Sequence, residues 1–184
     1  MTQHTESLRQ RYRPSRVRVL FVGEAPPASG RFFYKADSGL YRAIRGVFVK
    51  VFPAIEREEF LASFCRLECH LVDLCGTPVD RLSNRQRKSA RARAEVRFSQ
   101  ILKEASPKIL VTVVKAISIN IQRAQKLANW KGACFELPYP GRWKQHRVRF
   151  ERDLAAILRR EYRGNLQDEE TAPGICLAGL PAIP

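Results

Sequence analysis

The residues with the most chemical content follow a short apolar run near the start of the chain. Gly23-Glu24-Ala25-Pro26-Pro27 leads into Gly30-Arg31-Phe32-Phe33-Tyr34 and then Asp37-Ser38-Gly39. Glycine and paired prolines make a rigid turn that exposes backbone and a carboxylate, with aromatic rings close behind. The plainer reading of the same residues is a strand-to-helix connection. A second set, Gly141-Arg142-Trp143-Lys144, puts an indole between two cations, which suits stacking or wedging against bases better than burial in a core, where the flanks are usually apolar. Cys65, Cys69 and Cys75 raise the question of a metal, but their spacing is not a zinc pattern and no CxxC occurs. Buried thiols in a strand are the simpler explanation, and no metal is expected.

Charge gives these groups a partner. Lys and Arg number 33 against 18 acids, a net charge of +15, so polyanions are attracted at long range. The excess is clustered. Arg81 to Arg97 holds seven basic residues and one acid, Glu95, while Arg142 to Arg160 holds seven against Glu151 and Asp153. No run of apolar residues is long enough to span a bilayer, and the first sixteen residues, MTQHTESLRQRYRPSR, form a basic leader without an apolar stretch of secretory type. A cytoplasmic protein, nucleoid-associated if bacterial, without membrane contact and monomeric, is the expectation. Five cysteines without a secretory signal read as reduced thiols.

The elements that must position these groups can be read from periodicity. Val17–Gly23 and Lys108–Val114 are apolar, β-branched runs typical of strands buried on both faces, Leu67–Cys75 reads as a further strand, and Ala133–Leu137 as a short one. Between them lie helical patterns: Leu40 to Val51 with Ser38 as N-cap, Glu56–Phe64, Asn84–Ala105, Ala116–Asn129, and Gln145–Tyr162 with Val148, Leu154, Ile157 and Leu158 facing inward. Strands alternating with helices predict an α/β fold, three layers α/β/α around a central, mainly parallel four-stranded sheet, with the Lys108–Val114 strand central and functional groups at the strand C-terminal ends. The domain should cover residues 17–163, and 164–184 should be a flexible C-terminal tail, with Ile175, Leu177 and Leu180 able to dock on it. GxGxxG and GxxxxGK are absent, so dinucleotide and P-loop phosphate binding are not supported.

VLFVGEAPPASGRFF resembles the first motif of the uracil-DNA glycosylase superfamily, especially its family-four and family-five branches, with their strand, GEAP and GRPF segment. HLVDLC and the basic segment after it are similar to the family's second strand, ASPKILVTVV to its Pro-Lys-β strand, and LPYPGRWKQHRVRFERDL to its last motif. The likeness runs in order over residues 17 to 160. It implies a monofunctional DNA glycosylase that hydrolyses the N-glycosidic bond of a damaged or deaminated base in single- or double-stranded DNA, with no cofactor. The leader lacks the Cys pair of family four, so no iron–sulfur cluster is expected.

Carried over residue by residue, the resemblance makes Gly23, Ala25, Phe33 and Asp73 base-binding and Glu24, Asp37 and Tyr139 catalytic. Phe33 matches the stacking Phe; a core Phe is the alternative. Ala25 stands where the classical branch positions water, which leaves Glu24, and then Asp37, as substitutes; either acid can instead be a cap or solvated. Asp73 stands where the family has a base-reading Asn. An ionised Asp only accepts, so it suits an exocyclic amino group or ring N–H rather than uracil O4; the alternative is a cap or an Arg partner. Tyr139 aligns with the His that donates to the departing base. Arg31, Arg85, Arg87, Lys88, Gly141, Arg142, Trp143, Lys144, His146 and Arg147 are implied DNA contacts, His146 also being readable as an ordinary surface residue. A module that kept the fold but lost catalysis is the competing function, with an RNA-associated hydrolase behind it.

Overall fold

Four of the apolar runs become strands: β1 (Val19–Gly23), β2 (Cys69–Asp73), β3 (Ile109–Thr112) and β4 (Ala133–Glu136). In the computed structural model, which describes residues 3–141 and 143–163, they form one all-parallel sheet ordered β2-β1-β3-β4. The fold is α/β, with helices flanking a central parallel sheet. β1 and β3 are interior and β3 pairs on both sides, as its composition predicts. Each ladder is shorter than the apolar run that carries it. Val17, Leu74 and Val113 lie beyond the ladders yet are buried, because they continue into the core as the chain leaves the sheet.

Alternation along β1 sends Val19 and Phe21 to one face and Leu20 and Val22 to the other. The first face is covered by α2 (Gly39–Val51), α3 (Phe60–Arg66) and α6 (Lys144–Glu161), through Ile44, Phe48, Phe64, Phe150 and Leu154. The second is covered by α4 (Asn84–Ala105) and α5 (Ser118–Ala128), through Phe98, Leu102 and Ile121. Each such side chain contributes roughly 1.5–3 kcal/mol by leaving water, so burial on both faces is what holds the sheet. Local signals set the helix starts. Ser38 accepts a hydrogen bond from Tyr41 N at 3.1 Å, and Ser83 and Gln86 exchange side-chain-to-backbone bonds at the head of α4.

Two expectations change. The leader contains a helix, α1 (Gln3–Arg11), which packs Leu8 against the first core and buries Arg9. Val148 does not face inward: it is 59% exposed, and Phe150 takes the buried place with Leu154, Ile157 and Leu158. Spacings of three and four from Phe150 fix that face, and Val148, two residues earlier, falls about 200° away. Residues 164–184, including Ile175, Leu177 and Leu180, and Arg142 lie outside the described residues. Among the described residues, no helix is long and apolar enough to cross a membrane.

Candidate functional site

The loops leaving the four strands enclose a cavity of about 320 Å³ at the C-terminal end of the sheet, where parallel sheets bind ligands. That size is at the small end of the usual ligand range of ~300–1,000 Å³. Gly23, Glu24 and Ala25 enter it from β1, Asp73 from β2, Val113 and Val114 from β3, and Tyr139 from the segment after β4; Phe33 completes the wall. Residues more than a hundred positions apart in sequence are thus brought to one place. Arg31 and Arg87 line the same cavity.

Glu24 follows the last residue of β1 and is only 7% exposed. Two arginines from one face of α4 hold it. Arg87 Nε donates to Oε1 at 2.6 Å and Arg87 Nη2 to Oε2; Arg91 Nε also donates to Oε1 at 2.6 Å. Burial works to raise the Glu24 carboxyl, but the bonds and charge of Arg87 and Arg91 outweigh it and hold the group below its ordinary value. Arg91 also donates to Ala116 O at 3.0 Å, tying the cluster to the segment after β3. Glu24 is therefore a fixed anion, suited to facing positive charge and poorly suited to taking up a proton.

Asp73 ends β2, opposite Gly23 in the ladder. Its Oδ2 accepts from Arg9 Nη2 at 2.9 Å, and its backbone carbonyl accepts from Arg97 Nη2 at 2.6 Å. Burial pushes this carboxyl up to about 6, against the pull of Arg9 and Arg97. Gly23 matters here through its missing side chain: a Cβ on it would lie 2.6 Å from Asp73 Oδ1. Arg9 also lies 5.2 Å over the Phe32 ring and bonds Glu6 Oε2 at 2.9 Å.

Phe33 is 3% exposed and makes ring contacts with Tyr34, Tyr41, Phe60 and Phe64 at 5.1–6.3 Å. It is a core residue that also presents atoms to the cavity, so both readings of it describe the same side chain. Tyr34 anchors this loop to β2. Its hydroxyl accepts from Leu71 N at 2.8 Å and sits 3.0 Å from His70 Nδ1, satisfying an edge that has no neighbouring strand among the described residues. Tyr139 is 47% exposed at the cavity rim. Its ring lies against Gly141, where a Cβ would come within 2.4 Å.

Asp37 is not brought into the cavity. Its Oδ1 accepts from Phe32 N at 2.7 Å, because the left-handed Ala36 (φ 61°) folds the chain back over a short 3₁₀ turn at Phe33–Lys35. Asp80 has a similar bracing contact with Ala28 N at 3.1 Å. Arg31, Arg85, Lys88, Trp143, Lys144, His146 and Arg147 are exposed, Trp143 at 57%. Arg91 and Arg9 were missed from sequence. Arg91 is four residues after Arg87 on a helical pattern and so shares its face, which was a usable signal; Arg9 had none in a polar segment. No protein-family model matches the chain, and no curated protein matches it.

Proposed function

We propose that the protein is a DNA base-excision protein, a monofunctional glycosylase whose cavity receives a base turned out of the strand. The observation that carries this reading is the convergence of Glu24, Phe33, Asp73 and Tyr139 on one cavity at the strand ends. In the proposed reaction the bond between base and sugar C1′ breaks, its electron pair leaves with the base, water oxygen adds to C1′, and the proton released by water ends on the base. Glu24, held ionised by Arg87 and Arg91, faces the positive charge that develops on the sugar. Tyr139 O–H is a donor for the departing base. The exposed cations of α4 and of the 143–147 segment carry the strand's phosphates. Duplexes and single strands bearing uracil, hypoxanthine, xanthine or an alkylated base, incubated with the protein and then treated with alkali, test it. A cut at one lesion is the expected result, and intact strands on every lesion would contradict hydrolysis.

A second reading, a base-binding module without turnover, is favoured by one specific feature. Both Glu24 oxygens are engaged by arginines, and Asp37, the other candidate acid, is engaged by Phe32 N. This reading predicts salt-sensitive binding to DNA that survives Glu24→Gln while no product forms in the parent protein.

A further inference from the structure

The carboxylate at the end of β2 has two sides that do different things. Oδ2 is taken by Arg9 of α1 at 2.9 Å, while Oδ1 lies over Gly23, and Gly23 and Asp73 both line the cavity. Arg9 itself stays behind the cavity wall. It is 5% exposed and held from three directions, by Asp73, by Glu6 and by the Phe32 ring. Such a group cannot swing into the cavity to meet a ligand, but it does fix which carboxylate oxygen is turned toward one.

Resting on the reading of the cavity as a base pocket, we infer that α1 is part of that pocket and that Arg9 is a positioning residue for specificity. It holds Asp73 as an acceptor-only group with Oδ1 forward, so that the pocket selects bases presenting N–H donors, amino-bearing purines above all, over uracil. A carboxylate oxygen accepts from an amino group, whereas uracil offers one ring N–H between two carbonyl oxygens that meet the carboxylate as like charges. A site built around one hydrogen-bond sense rejects the opposite sense strongly, because the mismatch leaves buried polar atoms unpaired.

The groups that face Asp73 set when this works. Arg9 and Glu6 come from α1, Arg97 from α4, the Tyr34 hydroxyl from the 3₁₀ turn, and the Cys75 thiol from the chain just past β2; on the β1 side Gly23 lies opposite Asp73, followed by Glu24, which shares the cavity. Burial and Glu6 push the carboxyl up, while Arg9 and Arg97 pull it down. Without Arg9 the acid takes its proton at a higher pH, becomes a donor at neutral pH, and loses its preference for amino groups.

The test uses the full chain and a duplex carrying one 2-aminopurine, whose fluorescence rises when the base leaves the stack, with a uracil duplex as competitor, from pH 5.5 to 9. The parent should respond at pH 8, lose half the response near pH 6, and be displaced poorly by uracil. Arg9→Gln should move that midpoint upward by about one unit, which weakens binding about twofold at pH 7 and close to tenfold at pH 5.5, with recovery toward pH 9; Arg9→Lys should restore the parent midpoint. Gly23→Ala, which leaves Arg9 in place but crowds Oδ1, should erase the amino preference, and Asp73→Asn should shift it toward uracil. Equal loss at every pH in Arg9→Gln, or an unmoved midpoint, overturns the positioning role while leaving the pocket intact. A parent that perturbs neither probe removes the base pocket itself, and this inference with it.

Discussion

Two carboxylates stand at the ends of neighbouring strands, Glu24 after β1 and Asp73 at the end of β2, nearly equally exposed at 7% and 8%, and their surroundings drive them apart. Glu24 meets two guanidinium groups from α4, on the side of the cavity where cations are exposed, and is held below its ordinary value. Asp73 meets one guanidinium from α1 at one oxygen, with the other over Gly23, and burial wins: it rises to about 6. Burial alone therefore does not assign a role to an acid; the number of charged donors per oxygen does. One cavity holds a permanent anion and a second acid poised near neutrality, a division of the kind that separates electrostatic from base-reading duties.

Removing Arg9, the guanidinium bonded to the Asp73 carboxylate, should have the largest effect on this contrast. Arg9→Gln takes away the guanidinium bonded to this buried carboxylate and leaves only the weaker pull of Arg97, and should cost about 3–5 kcal/mol at pH 8, read from urea denaturation. The loss should shrink at pH 5, where Asp73 carries a proton. An equal loss at both pH values would show that the charge of Asp73 is not what Arg9 balances.

Next comes a pH effect. His70, buried beside Arg9 and Arg13, is pulled down from 6.5 to about 4, so its contribution is full above pH 6.5 and is lost as pH falls toward 4. Asp73, raised from 3.8 to about 6, works in the opposite sense: its contribution is full below 3.8 and is lost as pH rises through 6. Between roughly pH 6 and 4 the two oppose each other. Asp73→Asn should unmask the His70 term, giving up to about 3 kcal/mol more loss between pH 6.5 and 4 than in the parent. Parallel stability profiles for the two proteins would refute this.

Gly23→Ala should cost about 1–3 kcal/mol, since the Cβ must displace Asp73 Oδ1 or bend β1, measurable as a lowered melting temperature. Arg87→Ala should cost least, within about 1 kcal/mol, because Arg87 is one-third exposed and Arg91 still holds Glu24. If it proves as costly as Arg9→Gln, the contrast between the two acids fails.

Much of the frame was readable before any coordinates. The apolar runs at Val17, Leu67 and Lys108 read as strands and become β1, β2 and β3, and the helix read over Asn84–Ala105 is α4 to the residue. The resemblance named Glu24, Phe33, Asp73 and Tyr139, and all four line one cavity. What sequence did not carry were contacts made by polar residues across long separations. Arg9 sits in a polar stretch whose helix is worth little until Leu8 and Arg9 dock, and nothing in the spacing pairs it with Asp73, 64 residues away. Asp37 was misplaced for a related reason: a single left-handed residue, Ala36, turns it from the cavity to the Phe32 N–H.

The claim that the cavity takes a base is tested most directly by backbone amide shifts of Gly23, Glu24 and Asp73 in NMR titrations with two strands. One carries a 2-aminopurine nucleotide, and the other has an abasic site at the same place. The account predicts that the cavity amides shift with the base-bearing strand alone, while the amides of α4 and of the 143–147 segment shift with both. Identical shifts with both strands, confined to the basic segments, would contradict it.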